Sequence, residues 1–414
     1  MSMRIAPRTD ALCETTKNTK CYEGETDTFR MRKVCIVVGS RANYSSIKSV
    51  MSEVQANPDL KLQLVVGASA LLDRFGSVVD VIESDGFEPD AKITMIVEGE
   101  TPGTMAKSTG LGLLELPTVF GMLKPDVVVS VGDRFETMAT AVAAAYMNIP
   151  LAHTMGGEIS GTIDESIRHA VTKLSHLHFP ANQQAATRII RMGEDPTMVH
   201  VVGCPRIDLV ADIVQADGHL ESPDWLEREG VGAHITLDKP FLLVSQHPVT
   251  TEYGQGEQQI VETLMALHEL QMPTIMLWPN ADAGSEDLSR GMRKFRETHK
   301  PEYIRFYKNF PIDTYVRLML NCACAIGNSS APLREGAYVG VPTVNIGTRQ
   351  QGRDRADNVL DVDYDRCAIV VAVKKQLAHG RYPSNHLYGD GGAGARIAAI
   401  LVESPLRVQK RLSY

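Results

Sequence analysis

The chain has 414 residues, 43% of them hydrophobic and 22% charged, with 42 basic against 50 acidic side chains and a net charge of −8. That length predicts two domains with a substantial buried core, and the acidic balance argues against a generic nucleic-acid binder. No apolar run of about 18 residues predicts a membrane span, and seven cysteines without a CxxC pair argue against a secreted disulfide framework or a zinc ribbon, so the expectation is a cytoplasmic enzyme with mostly buried thiols.

Residues 1–30 are polar, lack sustained periodicity and have no apolar signal-peptide core. They predict a disordered or loosely attached extension. From Lys33 the texture changes. The runs VCIVVG (34–39), LQLVVGA (62–68), DVVVSVG (126–132) and PLAHT (150–154) alternate with amphipathic stretches near 45–56, 71–84, 103–123 and 135–147. Short β-branched runs bounded by Gly or Pro and separated by helices predict parallel strands buried on both faces. Residues 31–205 therefore read as one doubly wound α/β domain. Residues 211–239 suit a linker plus a helix. FLLVSQHP (241–248), PTIMLWPN (273–280), YIRFY (303–307), CACAIGNSS (322–330) and VPTVNIG (341–347) then repeat the theme. Helices are predicted near 256–269, 285–298, 312–320 and 331–339, so residues 206–391 read as a second, Rossmann-like domain. Residues 392–414 read as a helix and tail returning to the first domain.

Ligands of open α/β sheets bind beyond the carboxyl ends of the strands, and polar motifs stand at those ends. Arg41 and Ser45 follow strand one, where a guanidinium and a capping hydroxyl at a helix start suit a phosphate. Asp133 and Arg134 follow the strand DVVVSVG, placed for a base or sugar-hydroxyl contact and an anion contact. His153 leads into a loop with Gly156, Gly157, Glu158 and Gly161. Thr162 with Glu165 fits a capping box at the next helix, near Asp164, whereas Glu158 has no capping role. His247 ends the strand FLLVS, and Asn280 and Asp282 lie in the next strand-end loop. Ser329 and Ser330 at a helix start suit a pyrophosphate, with Glu335 placed for a ribose. Arg349 follows the last strand. Gly389, Gly391 and Gly394 match a dinucleotide fingerprint, but no strand precedes them, so a plain loop is expected.

Together these residues resemble the hydrolysing UDP-N-acetylglucosamine 2-epimerases over roughly residues 32–400. The sharpest stretch is GEISGTIDESIRHAVTKLSH (157–176), joined by GDRFE, QHPVTTE (246–252), PNADAGS, IGNSS and GTRQQGR (347–353). The resemblance implies the GT-B type of fold, two Rossmann-like domains facing an interdomain cleft. It implies that Arg41, Ser45, Arg134, His247, Asn280, Ser329, Ser330, Glu335 and Arg349 hold UDP, with the backbone near Phe310 at the uracil. Asp133, Asp164 and His153 match acid/base positions. Met155 stands where the family has a carboxylate at the reacting sugar, and Val131 where a His is common. Either Glu158 or Asp164 then supplies the missing carboxylate, or the substrate or activity differs from that of the family.

The implied reaction converts UDP-N-acetylglucosamine and water to N-acetylmannosamine and UDP in sialic-type acid biosynthesis, with no cofactor or metal. The resemblance also implies a homodimer or homotetramer that binds no nucleic acid or membrane. Three other readings stand beside it: the same chemistry on UDP-2,4-diacetamido-2,4,6-trideoxyglucose, a glycosyltransferase, and a UDP-sugar-binding protein without turnover.

Overall fold

Two parallel sheets carry the chain. In the first, β1 (Arg32–Val38), β2 (Leu60–Gly67), β3 (Ala91–Ile93), β4 (Val127–Val131), β5 (Leu151–Thr154) and β6 (Leu177–Phe179) lie in the order β3-β2-β1-β4-β5-β6. The second holds β7 (Val231–Gly232), β8 (Leu242–Ser245), β9 (Thr274–Leu277), β10 (Ile304–Tyr307), β11 (Cys324–Gly327), β12 (Thr343–Ile346) and β13 (Val359–Val362). Its order is β13-β12-β11-β8-β9-β10-β7, parallel except for β7 against β10. The computed structural model describes residues 30–413 apart from 100, 217, 219, 221–225, 227–228 and 280–281. The extension expected over residues 1–30 lies outside the described residues except for Arg30.

Sheet one is flanked by α1 (Arg41–Ser45), α2 (Lys48–Ala56), α3 (Val78–Ser84), α4 (Pro102–Leu123), α5 (Phe135–Tyr146), α6 (Ile163–Leu174), α7 (Gln183–Arg191) and α8 (Pro205–Gln215). Sheet two carries α9 (Gly256–Leu270), α10 (Ser285–His299), α11 (Ile312–Asn321), α12 (Ala331–Val339) and α13 (Arg366–His379), and α14 (Ala393–Glu403) follows. Every residue of β4, β5, β8 and β11 is buried, as strands covered by helices on both faces require. Among the described residues no helix is long and apolar enough to cross a membrane. Cys35, Cys204, Cys322 and Cys324 are buried free thiols, and Cys367 is exposed.

Strand order reverses between β1 and β4 in one sheet and between β8 and β11 in the other. A crevice opens at such a switch point because the flanking connections leave to opposite faces. The two crevices position everything described below.

Several local expectations change. The stretch 45–56 is two helices, and Ser45 ends the first rather than capping the second. Its hydroxyl donates to the Arg41 carbonyl at 3.0 Å, while Ser40 is the cap. The capping box at Thr162 does not close. Thr162 accepts from the Asp164 amide at 3.2 Å, but the Glu165 carboxylate reaches past the cap to the Ser160 amide at 2.8 Å. The Gly389–Gly394 segment leads into α14, where the Asp208 carboxylate accepts from the Ala393 and Gly394 amides at 2.9 and 2.7 Å. A Cβ at Gly394 would sit 2.8 Å from the Ser49 carbonyl carbon, so that glycine lets α14 rest on α2. Helix α8 packs against α2 and α14 and also against α11 and α12, so it bridges both sheets.

Gly161 is where the lobes touch through backbone. Its amide donates to the Arg349 carbonyl at 3.0 Å, and an added Cβ would lie 1.9 Å from the Thr348 carbonyl oxygen. Gly161→Ala is expected to force the lobes apart at about 1–3 kcal/mol, the usual penalty of overpacking. Calorimetric melting should show a lower Tm.

Candidate active site

The carboxyl ends of both sheets border one cavity of about 1110 Å³. Of the residues singled out from the sequence, Arg41, Ser45, Asp133, Arg134, Asp164, His247, Phe310, Ser329, Ser330 and Arg349 line it. Asn280 lies outside the described residues.

One set of lining groups is cationic. Arg41 reaches across the cleft and donates to the Phe310 carbonyl at 2.7 Å. Burial and the neighbouring Arg206 guanidinium lower its pKa to about 10. At neutral pH both guanidiniums stay charged and repel, so an anion between them would be stabilised. Arg206 opens α8 and pairs with Glu335 on α12. Ser330 is the first residue of the turn into α12, yet its hydroxyl makes no capping bond. A hydroxyl at a helix N-terminus that is not spent on the helix suits a phosphate oxygen. The Asn328 side chain fixes the opposite wall, accepting from the His247 amide at 2.7 Å and donating to its carbonyl at 2.9 Å. Burial, then Arg349, pushes the His247 imidazole down to about 3, so it is neutral.

Two carboxyl groups line the same cavity, among further arginines. Asp133 follows β4, and burial would raise its pKa. The surrounding arginines, Arg168 first and then Arg353 and Arg334, together outweigh that effect and hold the carboxyl well below the usual range. Asp164 stands in the first turn of α6, half-buried. Burial raises it to about 6, helped by Asp133 and Asp282 and opposed by Arg349 and Arg134. Two carboxyl groups in one cavity thus have proton affinities pushed apart, the pattern that separates a proton carrier from a fixed anion.

Four sequence candidates stand behind the lining. His153 is fully buried under the Gly132–Asp133 turn, with Nε2 2.8 Å from the Gly132 carbonyl and Nδ1 3.2 Å from the Thr172 hydroxyl. Burial pushes it down to about 3. Glu158 is 1% exposed, and its carboxylate takes Arg334 at 3.0 Å and also Arg353. Glu158, expected from the sequence as a carboxylate at the reacting sugar, thus stands behind the cavity wall in an ion-paired brace between the lobes. Asp282 pairs with Arg134 at 2.9 Å, and Glu335 pairs with Arg206. Each is paired with an arginine that does line the cavity.

Sequence reading missed Arg206, Arg334 and Tyr315 as lining residues, and Arg353 as the second partner of Glu158. Arg334 stood beside Glu335 in the IGNSS helix and Arg353 closes the GTRQQGR motif, so their places were marked without their partners. Arg206 follows no predicted strand, so strand-end position gave no signal there. Met155 also lines the cavity, in the left-handed region at φ +59°. Its sulfur lies 3.5 Å from Arg334 Nη1 and 3.6 Å from Cys204 Sγ.

The sequence family described as UDP-N-acetylglucosamine 2-epimerase matches residues 52–402. The UDP-N,N'-diacetylbacillosamine 2-epimerase (hydrolyzing) of Legionella pneumophila is 32% identical over 379 residues, 92% of this chain and 98% of that one. The UDP-N-acetylglucosamine 2-epimerase of Neisseria meningitidis is 28% identical over 362 residues, 87% of this chain and 92% of that one. Among solved structures, the Methanocaldococcus jannaschii UDP-GlcNAc 2-epimerase in complex with UDP-GlcNAc and UDP superposes with a TM-score of 0.75 at 18% identity, covering 90% of this chain and all of that one. The fold is thus the GT-B type, two Rossmann-like sheets facing a cleft.

Proposed function

The chain belongs to the UDP-N-acetylglucosamine 2-epimerase family, and on that premise we propose that it hydrolyses a UDP-linked 2-acetamido sugar with inversion at C2. The observation that carries this reading is that one cavity holds both kinds of group. Arg41, Arg206 and the start of α12 suit a departing diphosphate, and two carboxyl groups, Asp133 and Asp164, line the same cavity.

The chemistry uses both kinds of group. The C2 proton becomes removable only as the C1–O bond to UDP breaks and C1 gains positive character. Donors aimed at the diphosphate oxygens stabilise that transition state more than the ground state. Asp133, held ionised, stabilises the charge building at C1. Asp164 has the higher proton affinity and takes the proton from C2. UDP departs with the C1–O electron pair, leaving a 1,2-unsaturated sugar. Water then adds across the double bond, its oxygen to C1, with a proton delivered to the opposite face of C2.

Two substrates are in view. The relative that shares 32% identity is named for UDP-N,N'-diacetylbacillosamine, and the one at 28% for UDP-N-acetylglucosamine. Met155 favours the first: a thioether at the cavity wall satisfies no sugar hydroxyl, and a 2,4-diacetamido-6-deoxy sugar carries fewer of them.

Each UDP-sugar is incubated with the protein in deuterated water and followed by proton NMR. Free UDP and a free C2-inverted sugar deuterated at C2 are expected, faster from the diacetamido sugar. A C2-inverted sugar still attached to UDP, or unchanged spectra with both sugars, would sink the reading. Faster turnover of UDP-N-acetylglucosamine would reverse the substrate preference alone.

A further inference from the structure

Arg168 is the most conspicuous charge in the molecule that the proposed chemistry does not use. It is 1% exposed, and it heads the fully buried side chains by size. An arginine is retained inside only when its donors are satisfied, and these are. Nε donates to the Asp133 carboxylate at 2.9 Å and Nη2 to the same oxygen. Nη2 also donates to the Ser160 hydroxyl at 3.1 Å, and Nη1 to the Glu158 carbonyl at 2.7 Å.

Its place on α6 matters as much as its contacts. Asp164 and Arg168 are four residues apart on one helix, so they share a face one turn apart. Asp164 lines the cavity from the first turn, and Arg168 lies beneath, gripping Asp133. One rigid helix therefore carries one carboxyl group and anchors the other.

We infer that Arg168 is a positioning residue for proton transfer: it fixes the Asp133 carboxylate beside Asp164 and ties both to the Glu158–Ser160 loop, so that the two acidic side chains take separate roles. This rests on the hydrolytic 2-epimerase reading above. The charged groups facing Asp133 are Arg168 and Asp164 on α6, Arg334 on α12 and Arg353 after β12. Those facing Asp164 are Asp133, Asp282, Arg349, Arg134 and, more weakly, Arg168 itself. Among the described residues, the side-chain hydrogen bonds to the Asp133 carboxylate come from Arg168. Without it the two carboxyl groups repel across the cavity and share a proton, and the shared proton leaves at higher pH than either role allows.

The test is the pH profile of kcat for UDP release. In the parent protein the acid limb should rise through about pH 6, where Asp164 ionises. Arg168→Gln keeps a donor but loses the charge. Its acid limb is expected at least about one pH unit higher, since the carboxyl pair now titrates together. Arg168→Lys restores the charge and should bring the limb back, with kcat still about tenfold below the parent because the two-pronged grip is lost. A uniform fall of kcat in Arg168→Gln with an unmoved limb would assign Arg168 a structural role only and overturn the inference. Carbon-13 NMR of carboxyl-labelled aspartate, with Asp133→Asn for assignment, gives a readout on the parent that needs no turnover. The Asp133 resonance should stay ionised between about pH 5 and 8, and titration within that window would also overturn it. No UDP release by the parent from either sugar would instead break the functional reading, and the carboxyl resonance would still report on Arg168.

Discussion

Asp164→Asn is expected to lower kcat by about 10²–10⁴-fold, the range that a positioned general acid or base contributes, with KM within a few-fold of the parent. Asn is nearly isosteric and keeps the backbone contact of the Asp164 amide with the Thr162 hydroxyl, so α6 should start unchanged. It removes only the proton-carrying oxygen. Asp133 is no substitute, because Arg168 holds it as an anion far below neutral pH. The pH profile supplies the sign. Asp164 titrates near 6 because burial and two neighbouring carboxylates disfavour its charge. As the base it must be ionised, so parental kcat should rise as pH climbs through about 6 and level off above. The residual activity of Asp164→Asn should lose that limb. A variant that keeps the limb and loses little rate would pass the proton transfer to another group. A control among the cationic groups separates the roles. Arg41→Ala should raise the Kd for UDP measured by calorimetry and leave the acid limb where it is.

The strands that build the switch points were legible because each is a short apolar run that ends in a polar, loop-forming motif, as in β1, β4, β8 and β11. The short strands β3, β6, β7 and β13 were not. Their sequences, AKI, LHF, VG and VLDV, are too short or too polar to outweigh a loop reading, and β3, β7 and β13 lie at or beyond the last helix-covered positions of their sheets. The cavity was legible for the same reason as the strands. A ligand must lie beyond their carboxyl ends, and Arg41, Asp133, His247 and Ser330 each follow one. What pairs with what was not. Glu158 meets Arg353 across 195 positions and Arg334 across 176. No local pattern announces a partner that only the approach of two sheets brings near. For the same reason Glu158 reads as a free carboxylate in a glycine-rich loop, and only the folded chain shows that it is spent.

Glu158→Gln therefore tests a place in the fold more than a step in the reaction. The carboxylate is 1% exposed and faces two arginines from the opposite lobe, one of them 4% exposed at its side chain and the other 9%. Arg353 has Glu158 as its main acidic neighbour: burial and Arg334 already lower its pKa, and Glu158 is the largest influence opposing them. A glutamine fills the same space but neutralises the carboxylate that the two buried guanidiniums share. Breaking a buried ion pair from one side costs about 3–5 kcal/mol, because an uncompensated charge stays behind. Against a total stability of about 5–15 kcal/mol that is a large fraction. Urea denaturation should show a lower midpoint at unchanged slope, with the extrapolated stability down by roughly that amount. Because Arg334 also lines the cavity, the loss should spread to ligand binding, raising KM for the UDP-sugar more than it lowers kcat. The opposite pattern, an unchanged midpoint with kcat down a hundredfold, would return Glu158 to the chemistry. Replacing all three together, Glu158→Leu with Arg334→Met and Arg353→Met, should recover much of the lost stability, since a buried ion cluster exchanged for apolar groups of similar volume is close to neutral. That recovery without recovered turnover would show that the cluster is kept for closing the lobes on the substrate.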